Sequence, residues 1–376
     1  MSATWLLARR NLGGNRIRLL ASVGGVALAL SLTLALDAVY AGVANQLTSY
    51  IDKAGADVWV SQAGVRNLHM VASWLPDEVT DEVGAVDGVA DVTPILYATD
   101  TIAAADERTI AYVIGLPTGA AIGGPWRIAE GSSLPGPGEV VVDARFAERA
   151  DVSMGDSITV LGGEAKVVGL SEGTASLVNS VAFVSFDDFR AMRGGAPVVS
   201  YVLARVAPGA DPGAVAAAVE RQVAGVTAQS RADFSAEERR LVMDMSAEVI
   251  SIMNVVGFVV GLAVVALTVY VATLARRREY GALKALGARN RFLYGVVLDQ
   301  AFLSVAIGFL AGIAFTGLLS FAVAQTSLGL ELALGAASIA KVGVVAAIIA
   351  GLAAILPIRQ IAGLDPAVVF RRGAAT

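Results

Sequence analysis

The stretch VISIMNVVGFVVGLAVVALTVYVATL occupies Val249–Leu274 and contains 26 consecutive residues without a charge. A helix needs about 20 mostly apolar residues to cross the hydrocarbon core of a bilayer, so this stretch is long enough to span a membrane. Three other stretches meet the same requirement: Leu19–Leu36, Ala301–Leu330 and Val342–Ile358. With their flanks, they predict four transmembrane helices at residues 19–40, 249–274, 294–324 and 339–358.

The composition of the whole chain agrees with a membrane protein. Of its 376 residues 56% are hydrophobic and 16% are charged, and its mean hydropathy is +0.66. A soluble chain carries about 45–50% apolar and about 25% charged residues. Acidic residues outnumber basic ones, 33 to 28, which argues against a nucleic-acid partner. With no Cys and a single His, His69, the chain alone cannot form disulfides or multi-His metal sites.

Residues 19–40 have an alternative interpretation as a cleaved signal peptide, because an Arg-rich segment precedes an apolar one and an Ala-rich one follows. The uncharged run Leu19–Leu36 is longer than the core of about 7–15 residues that is typical of signal peptides. We therefore expect a retained span.

Charge asymmetry predicts the topology. Residues 41–245 contain 14 Lys and Arg against 27 Asp and Glu, a net charge of −13. Basic residues cluster beside the spans instead, at Arg9, Arg10, Arg16, Arg18, Arg276, Arg277, Arg278, Lys284, Arg289, Arg291, Arg359, Arg371 and Arg372. Since short cytoplasmic segments carry an excess of Lys and Arg, both termini and the 275–293 link are predicted to be cytoplasmic. The chain is then a multi-pass protein of the cell (inner) membrane, with block 41–247 and a short loop at 325–338 outside.

Block 41–247 has the pattern of a soluble α+β domain. Strands are predicted at 57–61, 89–97, 110–116, 139–142, 157–161, 165–170, 181–185 and 201–206. Helices are predicted at 76–83, 144–150, 186–193 and 212–223. Gly162-Gly163 predicts a hairpin, and the Pro-Gly-Pro-Gly run at 135–138 suggests a division into two lobes. From Asp233 the pattern is helical without a breaker, which predicts a stalk at 233–248 that continues into the second span.

The block offers no catalytic constellation. A Ser-His-Asp arrangement would have to use His69, for which a surface or core position is the simpler interpretation, and a His69–Met70 haem ligand pair lacks partners. Trp59, Trp74 and Trp126 could line a binding groove, but core packing is the more common role. The motif G-x-x-x-x-G-K-[ST] is absent and no Gly-Lys dipeptide occurs, so any ATP would be bound by another chain.

The link between the second and third spans carries the most informative motif. Its sequence Arg276-Arg-Arg-Glu-Tyr-Gly-Ala-Leu-Lys-Ala-Leu-Gly-Ala-Arg-Asn-Arg291 predicts a short basic helix that ends at Gly287. Leu283 and Leu286 would be its apolar contacts. One interpretation is a basic anchor at the lipid headgroups, and the other is a docking helix for a cytoplasmic partner.

This segment resembles the R-x-x-E-x-G-x-L-[KR]-A-x-G-A motif of MacB/FtsX-type ABC transporter permeases. Three further regions agree in order. Residues 6–16 are similar to the family's amphipathic N-terminal helix, residues 151–170 to the G-D-x-[IV]…V-x-G-[IL] signature of its extracytoplasmic core, and residues 357–371 to its C-terminal ending. The sequence departs from the pattern in two places: Asp299 stands where many relatives have Glu, and Val368-Val369 replaces Glu-Ala.

The resemblance implies an α-helical membrane protein with four transmembrane helices and a large α+β extracytoplasmic domain, a MacB-like core, between spans 1 and 2. It also implies a non-catalytic subunit that forms a homodimer and rests on two copies of a separate cytoplasmic ABC ATPase. That ATPase would bind ATP and Mg, and this chain would bind no cofactor. An extracytoplasmic adaptor or hydrolase is a further candidate partner.

The resemblance also assigns roles to residues. The coupling helix at 275–293 would act through Arg276, Arg277, Glu279, Gly281, Leu283, Lys284, Ala285, Leu286, Gly287 and Ala288. The N-terminal helix 1–18 and the tail 359–376 would brace it through Arg9, Arg10, Asn11, Arg16, Arg359, Asp365 and Pro366. Asp299 is the candidate for a functional polar group inside the membrane, where such groups are costly. Its alternative role is an interfacial residue paired with Arg289 or Arg291.

Two glycine pairs, Gly257-x-x-x-Gly261 and Gly308-x-x-x-Gly312, predict close helix contacts within one chain or across a dimer. Three functions fit the resemblance: ATP-driven export of a hydrophobic or amphipathic substrate, FtsX-like mechanotransmission to a cell-wall hydrolase, and lipoprotein extraction. The size of the 41–247 domain favours export, because it is larger than we expect for a hydrolase regulator.

Overall fold

A computed structural model describes residues 4, 16–104, 107–175, 180–326 and 332–363. Its internal contacts divide the chain into two compact units, one of which contains residues 43–245, while the other contains the apolar helices that flank them in sequence. The helices are α1 (Arg16–Lys53), α2 (Val79–Gly84), α3 (Ala144–Arg149), α4 (Phe186–Met192), α5 (Pro212–Gln222), α6 (Arg231–Ala275), α7 (Arg277–Ala285), α8 (Asn290–Ala324), α9 (Ala336–Ala353) and α10 (Ile355–Ala362). The strands are β1 (Val58–Gln62), β2 (Leu75–Pro76), β3 (Val89–Ala104), β4 (Glu107–Leu116), β5 (Ile128–Gly131), β6 (Glu139–Asp143), β7 (Ser157–Val160), β8 (Gly163–Ser171), β9 (Ser180–Ser185), β10 (Val198–Val199), β11 (Tyr201–Val206) and β12 (Val226–Ser230).

Among the residues that the structure describes, four helical stretches are long and apolar enough to cross a membrane, which confirms the predicted four-span fold class. They are Val23–Lys53, Ser251–Ala275, Asn290–Val323 and Ala336–Ala362. Each carries large apolar side chains on its outer surface, and one from each stretch, Leu28, Leu267, Leu310 and Val344, is 63–69% exposed. Such side chains suit contact with lipid tails, which are as apolar as leucine itself.

The helices of this unit pack closely where glycine faces a neighbour. A Cβ atom at Gly308 would lie 2.6 Å from Cγ1 of Val26, and one at Gly312 would lie 3.2 Å from the carbonyl oxygen of Ala27. A side chain at Gly257 would meet α1 at a similarly short distance. The predicted small-residue contacts therefore occur within one chain, where they join α8 and α6 to α1.

Ten of the described strands of the 43–245 unit form one mixed sheet in the order β12-β1-β11-β3-β4-β9-β6-β8-β5, with β7 paired to both β3 and β8, and β2 and β10 form a separate two-stranded sheet. Strand β3 is 16 residues long and changes partners along its length. Its residues 89–95 pair with β11, whereas residues 96–104 pair with β4. Pro94, which has no N–H to donate, lies in the first half, where the described strands pair with β3 on one side only.

The helix predicted at 76–83 is wrong at its start. Leu75 and Pro76 form the short strand β2, which pairs with β10, and α2 begins three residues later, at Val79. Proline fits the edge of a two-stranded ladder because it has no N–H to donate there.

The other turn signals are partly confirmed. The predicted hairpin joins β7 to β8, but its turn is Leu161-Gly162, one residue ahead of the predicted pair. Both turn residues have positive φ, 51° and 80°, as a two-residue type I′ turn requires. The division into lobes at 135–138 is wrong, since this run leads into β6, a strand inside the common sheet.

Candidate ATPase-coupling segment

The link between the second and third spans contains the predicted short helix, α7. A single residue separates it from α6: Arg276 has φ −111°, and its N–H donates to the Thr273 carbonyl oxygen at 3.1 Å. The Arg276 carbonyl oxygen then accepts from Tyr280 N–H at 3.1 Å, which starts α7. The apolar helix α6 thus ends just before Arg276, the first charged residue after the span, and the charged helix α7 begins directly after it.

A glycine cap ends α7. Gly287 has φ +92°, a left-handed conformation that side chains other than glycine rarely adopt. Its N–H donates to the Lys284 carbonyl oxygen at 3.1 Å, and Ala288 N–H donates to the Leu283 carbonyl oxygen at 3.0 Å. This pair of bonds is a Schellman motif, which satisfies the last carbonyl groups of the helix. Gly287 therefore fixes where α7 ends.

One face of α7 is fixed to the span unit. Tyr280 and Gly281 are buried, and Leu283 and Ala288 pack against the apolar core of the span helices. That core includes Val26, Val265, Val297, Ile349 and Ile361. Leu283 and Ala288 are also the apolar pair that usually accompanies a Schellman motif. These four residues position the segment and do not offer a contact surface.

Lys284 joins α7 to the C-terminal segment. Its Nζ donates to the carbonyl oxygens of Ile361 at 3.5 Å and Ala362 at 3.0 Å. These carbonyl groups belong to the last two residues of α10. The unsatisfied C=O groups at the end of a helix carry partial negative charge, which favours a cation there. This contact joins α7 to the end of α10, which lies at the start of the segment 359–376 that was predicted to brace it.

The opposite face of α7 is open. Exposed residues include Arg277, Arg278, Glu279, Ala285 and Gly287, and Leu286 is 85% exposed. Glu279 accepts one bond from Arg276 at 3.1 Å. At such a surface position an ion pair contributes at most about 1 kcal/mol, so the carboxylate can change partners at little cost. This face thus offers one cation, one anion and one large apolar side chain to a partner, since Arg277, although exposed, lies one turn before the buried Gly281.

Several predicted bracing residues lie outside the described residues: Arg9, Arg10, Asn11, Asp365 and Pro366. Arg16 begins α1, and Arg359 is exposed on α10. Thr4 is described, and a Cβ at Gly295 of α8 would lie 3.3 Å from its Cγ2 atom.

Asp299 lies half-buried on α8 and forms no ion pair within 4.0 Å to the residues that the structure describes. Its predicted partners Arg289 and Arg291 are exposed. An ion pair between two described span helices lies elsewhere: Lys341 Nζ on α9 contacts Asp37 Oδ1 on α1 at 2.7 Å.

Sequence reasoning missed this pair, although a signal was present. Asp37 and Lys341 are charged residues inside the predicted spans 19–40 and 339–358, where a charge calls for a partner. Ala333 N–H also donates to the Ala38 carbonyl oxygen at 3.0 Å, so the chain ahead of α9 is fixed to α1 at the same place.

No group of three or more His, Asp or Glu side chains that could hold a metal ion occurs among the described residues. Two family models match consecutive parts of the chain. The family model of the MacB-like periplasmic core domain matches residues 19–222, more than half of the chain. The model of the FtsX-like permease C-terminal region matches residues 251–366, which include all of α7.

Several relatives match the chain over nearly its whole length. An uncharacterized ABC transporter permease of Mycobacterium tuberculosis is 23% identical over 366 residues, which cover 96% of this chain and 98% of the relative. A second uncharacterized permease of that species is 23% identical over 374 residues, with the same coverage. Among solved structures, the extracellular domain of the noncanonic ABC-type transporter YknZ from Gram-positive bacteria covers 46% of this chain and 99% of its own length, with 14% identity and a TM-score of 0.37. The periplasmic region of MacB from Actinobacillus actinomycetemcomitans covers 48% and 92%, with 11% identity and a TM-score of 0.38.

Proposed function

Because this chain belongs to the MacB/FtsX-type family of ABC transporter permeases, we propose that it couples ATP hydrolysis on a separate ATPase to export of a hydrophobic or amphipathic substrate. The observation that carries the proposal is the division of α7 into a fixed face and an open face. The fixed face holds the helix to the spans through Tyr280, Leu283 and Lys284. The open face, with Leu286 at its end, is left for a partner.

The partner is a cytoplasmic ABC ATPase, in two copies below a permease homodimer. It supplies the ATP and Mg sites, because this chain has no phosphate-binding loop, and we expect no catalytic role for the chain itself. The basic residues beside the spans support cytoplasmic termini and a cytoplasmic α7 in the cell membrane. The acidic 43–245 unit is then extracytoplasmic, where an adaptor protein could also bind.

Transmission runs through α6. This helix is 45 residues long, begins directly after β12 and ends one residue before α7. The chain therefore passes from the sheet unit through a span to the coupling segment in one helix and one turn. A helix of this length transmits displacement along its axis, because each of its turns is closed by backbone hydrogen bonds.

The docking claim is tested by Leu286→Ala, with the affinity of the purified permease in nanodiscs for its ATPase as the measurement. Removing an exposed apolar side chain should lower the affinity about tenfold if it enters a partner pocket, and should leave thermal unfolding unchanged. Leu318→Ala is the matched control, since Leu318 is also an exposed leucine but lies on α8. Equal affinities for all three proteins would show that α7 is not the docking helix.

The export claim is tested by the ATP turnover of the permease–ATPase complex in nanodiscs. We expect turnover to rise with at least one of dodecylamine, palmitate and haemin, and to stay constant when a cell-wall hydrolase is added. If the hydrolase raises turnover and the three amphipaths do not, mechanotransmission replaces export as the function.

A further inference from the structure

The ten-stranded sheet ends at β5 on one side and at β12 on the other, and the two edges are protected differently. At the β5 edge, the pairing with β8 shifts between Ile128 and Glu130, and Glu130 is an exposed charge. Irregular pairing and charged side chains keep other strands away from a sheet edge. The pairing of β12 with β1 is regular, and its residues Val226–Ser230 include no charge and no Pro. Strand β12 is therefore the less protected edge.

The hydrogen bonds between β12 and β1 show which backbone groups point away from the sheet. Just past the end of the ladder, Arg231 N–H donates to the Asp57 carbonyl oxygen at 2.8 Å, which marks a bonded pair. Bonded pairs alternate along an antiparallel ladder, so Gln229 and Thr227 face β1, while the N–H and C=O groups of Ala228 point outward. No hydrogen bond to the Ala228 carbonyl oxygen comes from the described residues.

A side chain occupies the outward N–H group in place of a strand. Glu220 on α5 accepts from Ala228 N–H through Oε1 at 3.4 Å, whereas such bonds are commonly about 2.7–3.2 Å long. Ala228 is 7% exposed with the carboxylate in this position. Because Glu220 is itself exposed, its side chain can turn into the solvent and uncover the N–H group. The carbonyl group of an added strand would then replace the carboxylate.

A groove of about 450 Å³ lies along this edge, within the range of about 300–1,000 Å³ that is usual for binding clefts. Its walls are two helices on opposite faces of the sheet. Helix α5 packs on the face that carries Val58, whereas Phe234 of α6 stacks on Trp59, whose side chain points to the other face. The walls present small exposed residues, which leave room for the side chains of an added strand: Gly213, Ala217 and Ala236.

The groove carries opposite charges at its two ends. Asp233 Oδ2 accepts from Ser230 Oγ at 2.6 Å, which places this acid at the C-terminal end of β12. Arg66 lies near the other end, because it follows Gly64 by two residues and Gly64 N–H donates to Thr227 Oγ1 at 2.9 Å. Both charged residues line the groove.

Arg240 adds a second cation near Arg66. It follows Asp233 by seven residues on α6, which is about 10 Å along the helix. This part of α6 lies beside the loop that contains Arg66, since Glu238 accepts from Leu68 N–H at 2.6 Å. Arg66 and Arg240 are exposed and form no ion pair within 4.0 Å to the residues that the structure describes. Both guanidinium groups are therefore available to a partner.

We propose that β12 binds an extended segment of a partner protein as an additional antiparallel strand, whose central residue exchanges two backbone hydrogen bonds with Ala228. Alternate residues of that strand face α6. The pattern x-[KR]-x-[DE]-x, from N- to C-terminus, places its cation beside Asp233 and Glu237 and its anion beside Arg66 and Arg240. The x positions face the small residues of α5 and are apolar. This site goes beyond the proposed export function and does not depend on it.

Disulfide capture by the full chain in nanodiscs tests the site, because the chain contains no Cys of its own. The probe is the peptide Val-Lys-Val-Glu-Val-Gly-Gly-Cys. It is offered to Gln222→Cys, a change at the exposed last residue of α5, and to the control Glu82→Cys, at an exposed position on α2. The concentration of mercaptoethanol that releases half of the peptide should be about tenfold higher at Gln222→Cys, since binding in the groove raises the effective concentration of the thiol.

Methylated probes separate strand addition from other modes of binding. Methylating the nitrogen of the central valine removes the N–H group that bonds to the Ala228 carbonyl oxygen, and should abolish the tenfold difference. Methylating the lysine nitrogen, which points away from β12, should preserve it. Exchanging Lys and Glu in the probe keeps the composition but reverses the charges, and should also abolish the difference.

Two variants test the same contact from the side of the protein. Glu220→Ala should strengthen capture, because it uncovers the Ala228 N–H group. Ala228→Pro should abolish capture, because proline lacks that group and is tolerated where an edge strand faces outward. The thermal unfolding midpoint shows whether each variant folds, and Glu220→Ala, a change at an exposed side chain, keeps the test valid if Ala228→Pro unfolds.

Equal release from Gln222→Cys and Glu82→Cys, equal capture of the two methylated probes, or preference for the reversed charges would each overturn the proposal. A permease dimer that Ala228→Pro converts into a monomer would also overturn it, since a second copy of the chain would then occupy the edge. Capture needs neither the ATPase nor ATP. A failure of strand addition is therefore distinguishable from a failure of export.

Discussion

Gly287 shows how one residue can set the shape of a docking surface. A Cβ atom there would meet no other atom within 4 Å, so only the backbone conformation resists substitution. Gly287→Val should therefore strain the end of α7 by about 1–2 kcal/mol, while Gly287→Asn, which tolerates positive φ, should cost less. We expect the affinity for the ATPase to fall about 5- to 30-fold in the Val variant and to change little in the Asn variant. Titration of both variants with the ATPase measures this, and similar affinities would mean that the cap does not matter.

The Asp37–Lys341 pair makes a second prediction for single residues. Asp37 is 12% exposed and Lys341 is 53% exposed, so removing the lysine leaves a mostly buried carboxylate without its cation. Lys341→Met should destabilise the span unit by about 1–3 kcal/mol, and Asp37→Asn combined with Lys341→Met should recover most of that loss. The midpoint of thermal unfolding in nanodiscs measures both. A double variant that is no more stable than Lys341→Met alone would show that the pair contributes nothing.

The roles of some residues can be predicted from the sequence, and the roles of others cannot. Gly287 could be predicted as a helix cap because the signal is local: a glycine directly after a charged, periodic segment can adopt the left-handed conformation that ends a helix. The split between Leu283, which is packed, and Leu286, which is exposed, could not be predicted, because it depends on where the other spans lie. The Asp37–Lys341 contact also depends on tertiary structure, because the two residues are 304 positions apart in the sequence. Asp299, by contrast, is predicted as a polar group inside the membrane from its local sequence alone.

At the scale of elements, the continuity of α6 makes the sharpest prediction. Ile252 is exposed where the span of this helix begins, so its side chain can be changed without opening a cavity. Ile252→Pro should kink the helix, because proline removes one backbone bond and its ring clashes with the carbonyl four residues earlier. We expect ATPase binding to persist and stimulation by the amphipath to be lost, whereas Ile252→Ala should keep both. Undiminished stimulation in the proline variant would show that α6 does not carry the signal.

Elements formed by local signals are predicted more accurately than elements that depend on pairing with distant segments. The helix predicted at 212–223 appears as α5, with Pro212 in its first turn and Asp211 Oδ2 accepting from Ala214 N–H, all local signals. Strand β3 extends seven residues beyond the predicted end at residue 97, because pairing with β4 and β7 supports a segment in which Ala98, Asp100, Ala103 and Ala104 have little β-propensity of their own. Proline suits the first turn of a helix, which favours a helix that starts at Pro76, whereas the strand β10 that pairs with Pro76 is distant in sequence.

At the scale of the whole molecule, the absence of Cys from the sequence allows a direct test of orientation. Single cysteines can be placed at exposed helical positions of the two units, with Glu82→Cys on α2 and Arg278→Cys on α7 as a matched pair. A membrane-impermeant maleimide should label the first in intact cells and the second only after permeabilisation, since the basic segments stay inside. Labelling in the reverse order would invert the topology and with it the assignment of α7 to the cytoplasm.

Large-scale features were the easiest to predict, because they average over many residues. The predictions of four spans and of an acidic domain at residues 41–245 each rest on many residues, so a wrong interpretation of one position does not change them. The ten-stranded sheet that continues past residues 135–138 could not be anticipated, since a Pro-Gly run and a true boundary between lobes have the same local composition.

The strand that changes partners has a mechanical consequence. Because β3 is bonded to β11 along residues 89–95 and to β4 along residues 96–104, a load applied along the strand is resisted in shear by both ladders at once. Hydrogen bonds loaded in parallel share the force, whereas those at the end of a hairpin are peeled one after another. The sheet should therefore behave as a stiff plate under tension, and a pull delivered by a helix at its edge would turn it as one body before it would tear it.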